Sequence, residues 1–502
     1  MRRTTWAAAC FCLAAHAAVG APSQTVCSAR DNGTREKLLE CIQGSALWHH
    51  LAHFQTIAND HPGANGHGNR DTGTPGYRAS VAYVAKLMRE AGYKVKIQSY
   101  DWRKFELDGA QSLSVSGRDL ALEKDWFVAR LSANGDVTAR VQSLNTDLNG
   151  CTSAAFQTFR KGGIALIERG GCGVDTQIAN AQAAGAAGVV LYNSESEPDT
   201  MGRRERRDGG AYEAQLLVPS HIPVAGFVSH ALGLELARSN EDVHLAVHAR
   251  SISGIDYNLI ADSPYGDHRH VIVVDAHLDS IFGAGMLDNA SGSTTILDIA
   301  LALSHTQTVN QLRYIWFGGE ELGLFGSKHY TQTLTPAELR RIVFDVDVDV
   351  TATPNFDILV ADPANAYNVK QFPPDVVPDS KVGNDAFADT FSSAGIISRS
   401  ASFGNDGTDS NSFALVGVPD SGILTQQDCC KHDWEVDLWG GFRGNYEGVV
   451  PGHDGGCVDQ PDRWCDNLSN NDRFVFGFVS KATGAVVLDL ANDAKLGRKG
   501  AR

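Results

Sequence analysis

The chain has 502 residues, 43% of them hydrophobic and 20% charged, with a formal net charge of −16. This length exceeds the roughly 100–200 residues of one ordinary domain, so two or three modules with cores of their own are expected. The acidic balance argues against nucleic acid as a partner, because a polyphosphate backbone must be met by basic groups. The two basic clusters, RRERR at 203–207 and the terminal KLGRKGAR, read as a solvated loop and a chain end.

The opening MRRTTWAAACFCLAAHAAVGA joins a positive start to a short apolar stretch and to small residues at Val19, Gly20 and Ala21. This predicts a secretory signal peptide over residues 1–21, and hence a secreted or periplasmic protein. The stretch is too short to span a membrane, and no later stretch reads as a stable membrane anchor. Its removal takes away Arg2, Arg3, Cys10 and Cys12 and leaves eight cysteines. An even number in an exported chain points to disulfides, and local spacing makes Cys27 with Cys41, Cys151 with Cys172, and Cys457 with Cys465 the natural pairs. Cys429 and Cys430 stay open between a vicinal bridge, free thiols and other partners.

Residues 22–136 open on two helical patterns, REKLLECIQGSALWHHLAHFQTIA and SVAYVAKLMREAGY, and continue into KVKIQSYDW, which alternates like a strand. A second unit over 137–251 carries the strand-like runs GIALIERGG and GVVLYN around an Ala-rich helix, TQIANAQAAGAAG. From 252 to 492 strands and helices alternate: HVIVVDAH, STTILDIALALSHT, LRYIWFGG, a helix near LTPAELRR, and RIVFDVDVDV. That order predicts an α/β sheet with helices on its faces and a ligand site at the carboxyl ends of its strands. Residues 493–502 form the basic tail.

Three groups lie just beyond such strands: His277-x-Asp279, Asp288-Asn289 and the pair Glu320-Glu321. Imidazole and carboxylate delivered to strand ends is how a metal site is assembled, and a two-metal hydrolytic site needs one bridging carboxylate and one free carboxylate as base. Consecutive side chains on an extended segment point apart, so Glu320 and Glu321 must have separate tasks. Asp345, Asp347 and Asp349 alternate along one strand face, and any of them can offer a further ligand.

VVDAHLDS, GMLDNASGS and GGEELGLFGS, in this order, resemble the M28 family of zinc peptidases, particularly its secreted bacterial aminopeptidase branch. The segment from NGCTSAAF to GVVLYN resembles the protease-associated (PA) domain often inserted in these enzymes, and NRDTGTPGYRASVAYVAKLMREAGY resembles the N-terminal segment of the same branch. The resemblance implies a mixed, mostly parallel sheet flanked by helices, of the phosphorylase/hydrolase-like kind, with a smaller β-rich PA insert. It implies two zinc ions per chain. His277 would bind one ion and Asp279 would fix its tautomer, Asp288 would bridge, Glu320 would be the general base and Glu321 a ligand. The family's aspartate before Ser-Pro-Asn selects Asp349, which precedes Thr353-Pro354-Asn355 here.

The last ligand is a histidine that the family places after a Trp-Gly-Gly-like turn and before Cys-Asp. His453 is chosen over His432, although the family's preceding tyrosine is replaced by Gly452; Tyr446 is the substitute that could hold the oxyanion. Phe403 and the segment GTDSNSF lie near the substrate pocket by the same analogy. The implied activity is removal of N-terminal residues from peptides or proteins with free amino termini. Related cores also serve carboxypeptidases and dipeptidases, and a PA-containing binding protein with a dead core is the reading from another class. Oligomeric state and preferred residue stay open.

Overall fold

The computed structural model describes residues 22–63, 66–144, 148–194, 210–214, 216, 218–239, 241–366, 369–401, 407–427, 431–447 and 465–497. The described residues fall into two compact units, one built from the chain up to Trp102 and from Gly254 onward, the other from the residues between.

After a four-residue helical turn at Gln24–Cys27, the first unit carries three longer helices, the first and third of them started by a threonine cap. Thr34 caps α1 (Arg35–Cys41) by accepting from Lys37 N, and the Cys27–Cys41 disulfide pins its far end. Helix α2 (Gly44–Asp60) buries Leu47, Leu51, Phe54 and Ala58, the i, i+4, i+7 stripe of an amphipathic helix. Thr74 and Pro75 start α3 (Pro75–Glu90), which buries Tyr77, Val81, Val84 and Met88. Strand β1 (Lys94–Leu107) follows.

The second unit contains β2 (Ser112–Val115), β3 (Arg118–Asp119), β4 (Gly135–Ser143), β5 (Ile164–Glu168), α4 (Val174–Ala183), β6 (Gly188–Tyr192), β7 (Val224–Val228), α5 (His230–Ser239) and β8 (Asp242–Val247). Its seven-stranded sheet runs β3-β2-β8-β4-β5-β6-β7, with β4 to β7 parallel. The compact unit starts well before Val137, because β2 pairs antiparallel with β8, Leu113 facing Leu245. Cys151 and Cys172 are joined within it.

The chain returns through β9 (Ala249–Asp262), β10 (Asp267–His277), α6 (Ser291–Leu303), β11 (Asn310–Phe317), α7 (Phe325–Thr333), β12 (Ile342–Val348), β13 (Leu359–Ala361), α8 (Val376–Ser393), β14 (Arg399–Ala401), α9 (Ser410–Leu415), β15 (Asp420–Leu424), α10 (Asp433–Trp439) and α11 (Arg473–Asn492). The eight-stranded sheet has the order β1-β9-β11-β10-β12-β15-β13-β14. Its centre, β11-β10-β12-β15, is parallel, while β9 and β13 run antiparallel to their inner neighbours. Both faces are covered, which is why these strands read as continuous apolar runs. Ile272, Val274 and Ala276 join the core of α6 and α11, whereas Val271 and Val273 join that of Phe317, Tyr330 and Phe413.

Although no stretch after residue 21 reads as a membrane anchor in the sequence, α11 has the length and composition to cross a membrane. Seventy-two per cent of its apolar window is buried inside this unit, where it packs on α1, α2, α6 and α8. Its apolar character thus has a core to serve.

Candidate metal centre

His277 is the last residue of β10 and is 2% exposed. Its Nε2 lies 3.0 Å from Asp288 Oδ1, 3.3 Å from Asp349 Oδ1 and 4.0 Å from Glu320 Oε2. Ligand atoms of His277, Asp288 and Asp349 fall within 4.8 Å of one another, and so do those of His277, Glu320 and Glu321. Three strand ends meet here: Asp349 follows β12 directly, the glutamates follow β11, and β10 lies between them.

The other ring nitrogen, Nδ1, is 3.2 Å from the main-chain oxygen of Asp279 and 3.6 Å from its Oδ1. The shorter contact is therefore with the backbone, and the carboxylate stands just behind it. Both acceptors favour a proton on Nδ1, which leaves the Nε2 lone pair for a cation.

Asp288 and Asp349 are held together by the residue between them in space. Asn289 donates from Nδ2 to Val348 O at 2.9 Å and accepts at Oδ1 from Gly292 N and Val350 N. This amide ties the turn carrying Asp288 to the end of β12. A Cβ on Gly292 would stand 2.2 Å from Val348 O and 2.3 Å from Asn289 Oδ1, so only glycine permits the approach. Asp466 completes the mount by accepting from Leu287 N at 2.8 Å and Asp288 N at 3.0 Å. Burial pushes the Asp466 carboxyl up to about 6. The sequence reading passed over Asp466 as a ligand support, and the signal available for it was its place in the Cys465-Asp466 step.

The glutamates follow Gly318-Gly319, where α3 and β1 close in: a Cβ on Gly318 would meet the Tyr77 hydroxyl at 2.0 Å and that of Tyr100 at 2.5 Å. Glu320 then turns the chain, its carbonyl accepting from Gly323 N and Leu324 N.

Charge is heavily one-sided. Burial raises Glu320 well above the ordinary carboxyl range; His277 pulls it down, and Asp409, Asp349 and Asp288 push it up further. Burial works against a charged His277, yet Glu320, Asp279, Asp288 and Asp349 together lift it well above the usual imidazole value. A second acidic group lies deeper on the same sheet face. Asp275 and Asp347 are neighbours across β10 and β12, and Asp345 and Asp420 across β12 and β15, all at most 3% exposed. Burial raises each of these, and mutual repulsion raises Asp275, Asp345 and Asp420 further. Asp347 also accepts from Thr408 Oγ1 and Ser410 N, so it serves as an anchor for α9.

One imidazole nitrogen and converging carboxylate oxygens are a donor set that zinc takes, and the excess of carboxylates over cations is what a divalent ion neutralises. The residues fit the ion. His453 lies outside the described residues, as do Phe403, Cys429, Cys430 and Cys457, while Cys465 is disulfide-bonded. His432 precedes α10 and joins neither group of ligand atoms among the described residues. The Tyr446 hydroxyl donates to Asp357 Oδ2 at 3.0 Å, in a buried network with Lys431.

The model of peptidase family M28 matches residues 258–439, and that of the PA domain matches 134–236. An aminopeptidase of Pseudomonas aeruginosa is 32% identical over 443 residues, covering 85% of this chain and 78% of its own. The chain belongs to peptidase family M28. As an M28 member it is a zinc metallopeptidase of the aminopeptidase type, with a PA domain inside the second unit. Two solved M28-like folds are similar in architecture. The aminopeptidase from Aneurinibacillus sp. strain AM-1 superposes with a TM-score of 0.69 at 20% identity, covering 92% of this chain and 97% of its own. BSAP, a zinc aminopeptidase from Bacillus subtilis, gives 0.58 at 21%, with 90% and 96% covered.

Proposed function

We propose that this M28 chain is an exported aminopeptidase holding two zinc ions, with Glu320 as the general base and peptides or proteins with free amino termini as substrates. The observation that carries the reading is His277 Nε2 facing Asp288 and Asp349 at 3.0 and 3.3 Å with the Glu320 carboxylate 4.0 Å away. His277, Asp288 and Asp349 would hold one ion. Asp288, Glu321 and His453 would hold the other. Bound zinc supplies Lewis acidity towards the scissile carbonyl and makes water a stronger acid.

The chain's own residues do the rest. Glu320, whose carboxylate stands 4.0 Å from His277 Nε2, takes a proton from the attacking water and hands it to the leaving amine. Asp279 keeps the proton of His277 on Nδ1. A carboxylate beside the ions, such as Glu320 or Asp349, would hold the substrate's terminal ammonium and disfavour a carboxylate-terminated end at the same place, which supports amino- over carboxypeptidase action. Export is supported by the Cys27–Cys41 and Cys151–Cys172 disulfides, which persist in oxidising compartments.

The test is zinc content together with hydrolysis of free and N-acetylated aminoacyl chromogenic substrates, before and after chelation. Two zincs per chain and chelator-sensitive cleavage of the free amines alone are expected. Glu320→Gln should keep its zinc and lose kcat by about 10²–10⁴-fold; full activity in that variant overturns the base assignment.

A further inference from the structure

The segment Asn69 to Gly73 joins α2 to α3 and takes no part in the chemistry proposed above, yet its side chains are sunk into the centre. Arg70 is fully buried and donates to three carbonyls of the loop after β10: Nε to Ala284, Nη1 to Leu278 and Nη2 to Gly285, each at 2.7 Å. Its own N–H donates to Gly283 O at 3.0 Å. Asp71 accepts from Ser280 Oγ at 3.0 Å, and Gly73 N donates to Asp256 Oδ2 at 2.7 Å.

Thr72 sits at the middle of this clamp, 5% exposed. Its single hydroxyl makes two bonds of opposite sense: it donates to Asp279 Oδ2 at 2.9 Å and accepts from Gly319 N at 2.8 Å. The remaining oxygen of Asp279 faces Glu320 N at 3.4 Å and His277 Nδ1 at 3.6 Å. The hydroxyl thus links the carboxylate behind His277 to the peptide group just before Glu320, across the ends of two adjacent parallel strands. Arg70 holds the loop on one side of this link, and Tyr77 and Tyr100 crowd Gly318 on the other.

We propose that Thr72 is a positioning residue of the reaction: through Asp279 and Gly319 it sets the relative placement of His277 and Glu320. The inference rests on the reading of Glu320 as base. A hydroxyl is required because only a group that donates and accepts at once can serve both strand ends. Valine has the same shape and can do neither, whereas serine can do both.

Thr72→Val and Thr72→Ser, in the full chain, separate placement from packing. Thr72→Val is expected to lower kcat about 10–100-fold with KM little changed, and to give up zinc at lower chelator concentration than the parent, as loss of a partner behind a metal ligand does. Thr72→Ser should restore both. A Thr72→Val protein with parental kcat and zinc retention overturns the proposal, as does Thr72→Ser falling to the valine level. Should the valine variant not fold, Thr72→Cys, a weak donor and acceptor, takes its place with the same expectations. Glu320→Gln assayed alongside distinguishes the two ideas: an active Glu320→Gln sinks the base, and an inactive one beside an unaffected Thr72→Val sinks only the positioning role.

Discussion

Asp298 lies on α6 with 2% exposure and takes one backbone hydrogen bond, from Gln43. Burial lifts its pKa to about 8 from an ordinary value near 4. Between those values the native chain keeps a proton that the unfolded chain releases, so this group's contribution falls as pH rises from about 4 to 8 and is flat above. Asp298→Asn removes the titration. The variant's unfolding free energy, taken relative to the parent's, should rise steadily as pH increases across that window and level off above about pH 8; a constant or shrinking difference contradicts the assignment. Asp466 is raised by burial as well, but its carboxylate also serves two backbone N–H groups at once. Asp466→Asn can accept only one of them and should weaken zinc retention about 10–100-fold in a chelator competition.

At the scale of elements, the close approach of α6 to β12 depends on Gly292. Gly292→Ala should cost about 1–3 kcal/mol in denaturant unfolding and reduce activity, because Val348 and Asn289 must move and they carry the spacing of Asp288 and Asp349. HVIVVDAH, LRYIWFGG and RIVFDVDVDV announce their strands because both sheet faces are covered, which turns the strand signal into an unbroken apolar run. His277, Glu320 and Asp349 stand at or just past strand ends that could be read, whereas Asp288 lies in a turn well after β10, and Asp349 was separated from Asp345 and Asp347 by the family resemblance. Thr72, Arg70 and Asp466 were not legible. Their partners lie between 178 and 247 positions away, and for Thr72 and Arg70 nothing local distinguishes a clamp from a turn. Helix α11 was missed as an apolar element because Ser480, Thr483 and Gly484 break its run; folded, these small residues lie buried among apolar neighbours.

For the whole molecule, a centre with several carboxylates around one histidine is stabilised by the cation that neutralises them. Chelation should lower the melting temperature, and zinc should restore it in a concentration-dependent way, as for any ligand bound only by the folded state. An unchanged melting curve after verified zinc loss would mean that the carboxylates are neutralised by other means. Loss of Cys151–Cys172, which closes a 21-residue separation, is expected to cost about 3 kcal/mol, measured by denaturant unfolding of a variant carrying both Cys151→Ser and Cys172→Ser.

Asp466 also bears on time. The turn that carries Asp288 is fastened by a residue 178 positions further along the chain, and the loop beside it by Arg70, which is made long before. A growing polypeptide that has not yet reached Asp466 has His277, Glu320 and the Arg70 clamp, but not the acceptor that sets Asp288. The fastening of Asp288 is thus the last of these contacts that synthesis can supply, and a chain truncated before Asp466 is expected to retain zinc less well than the full chain in a chelator competition.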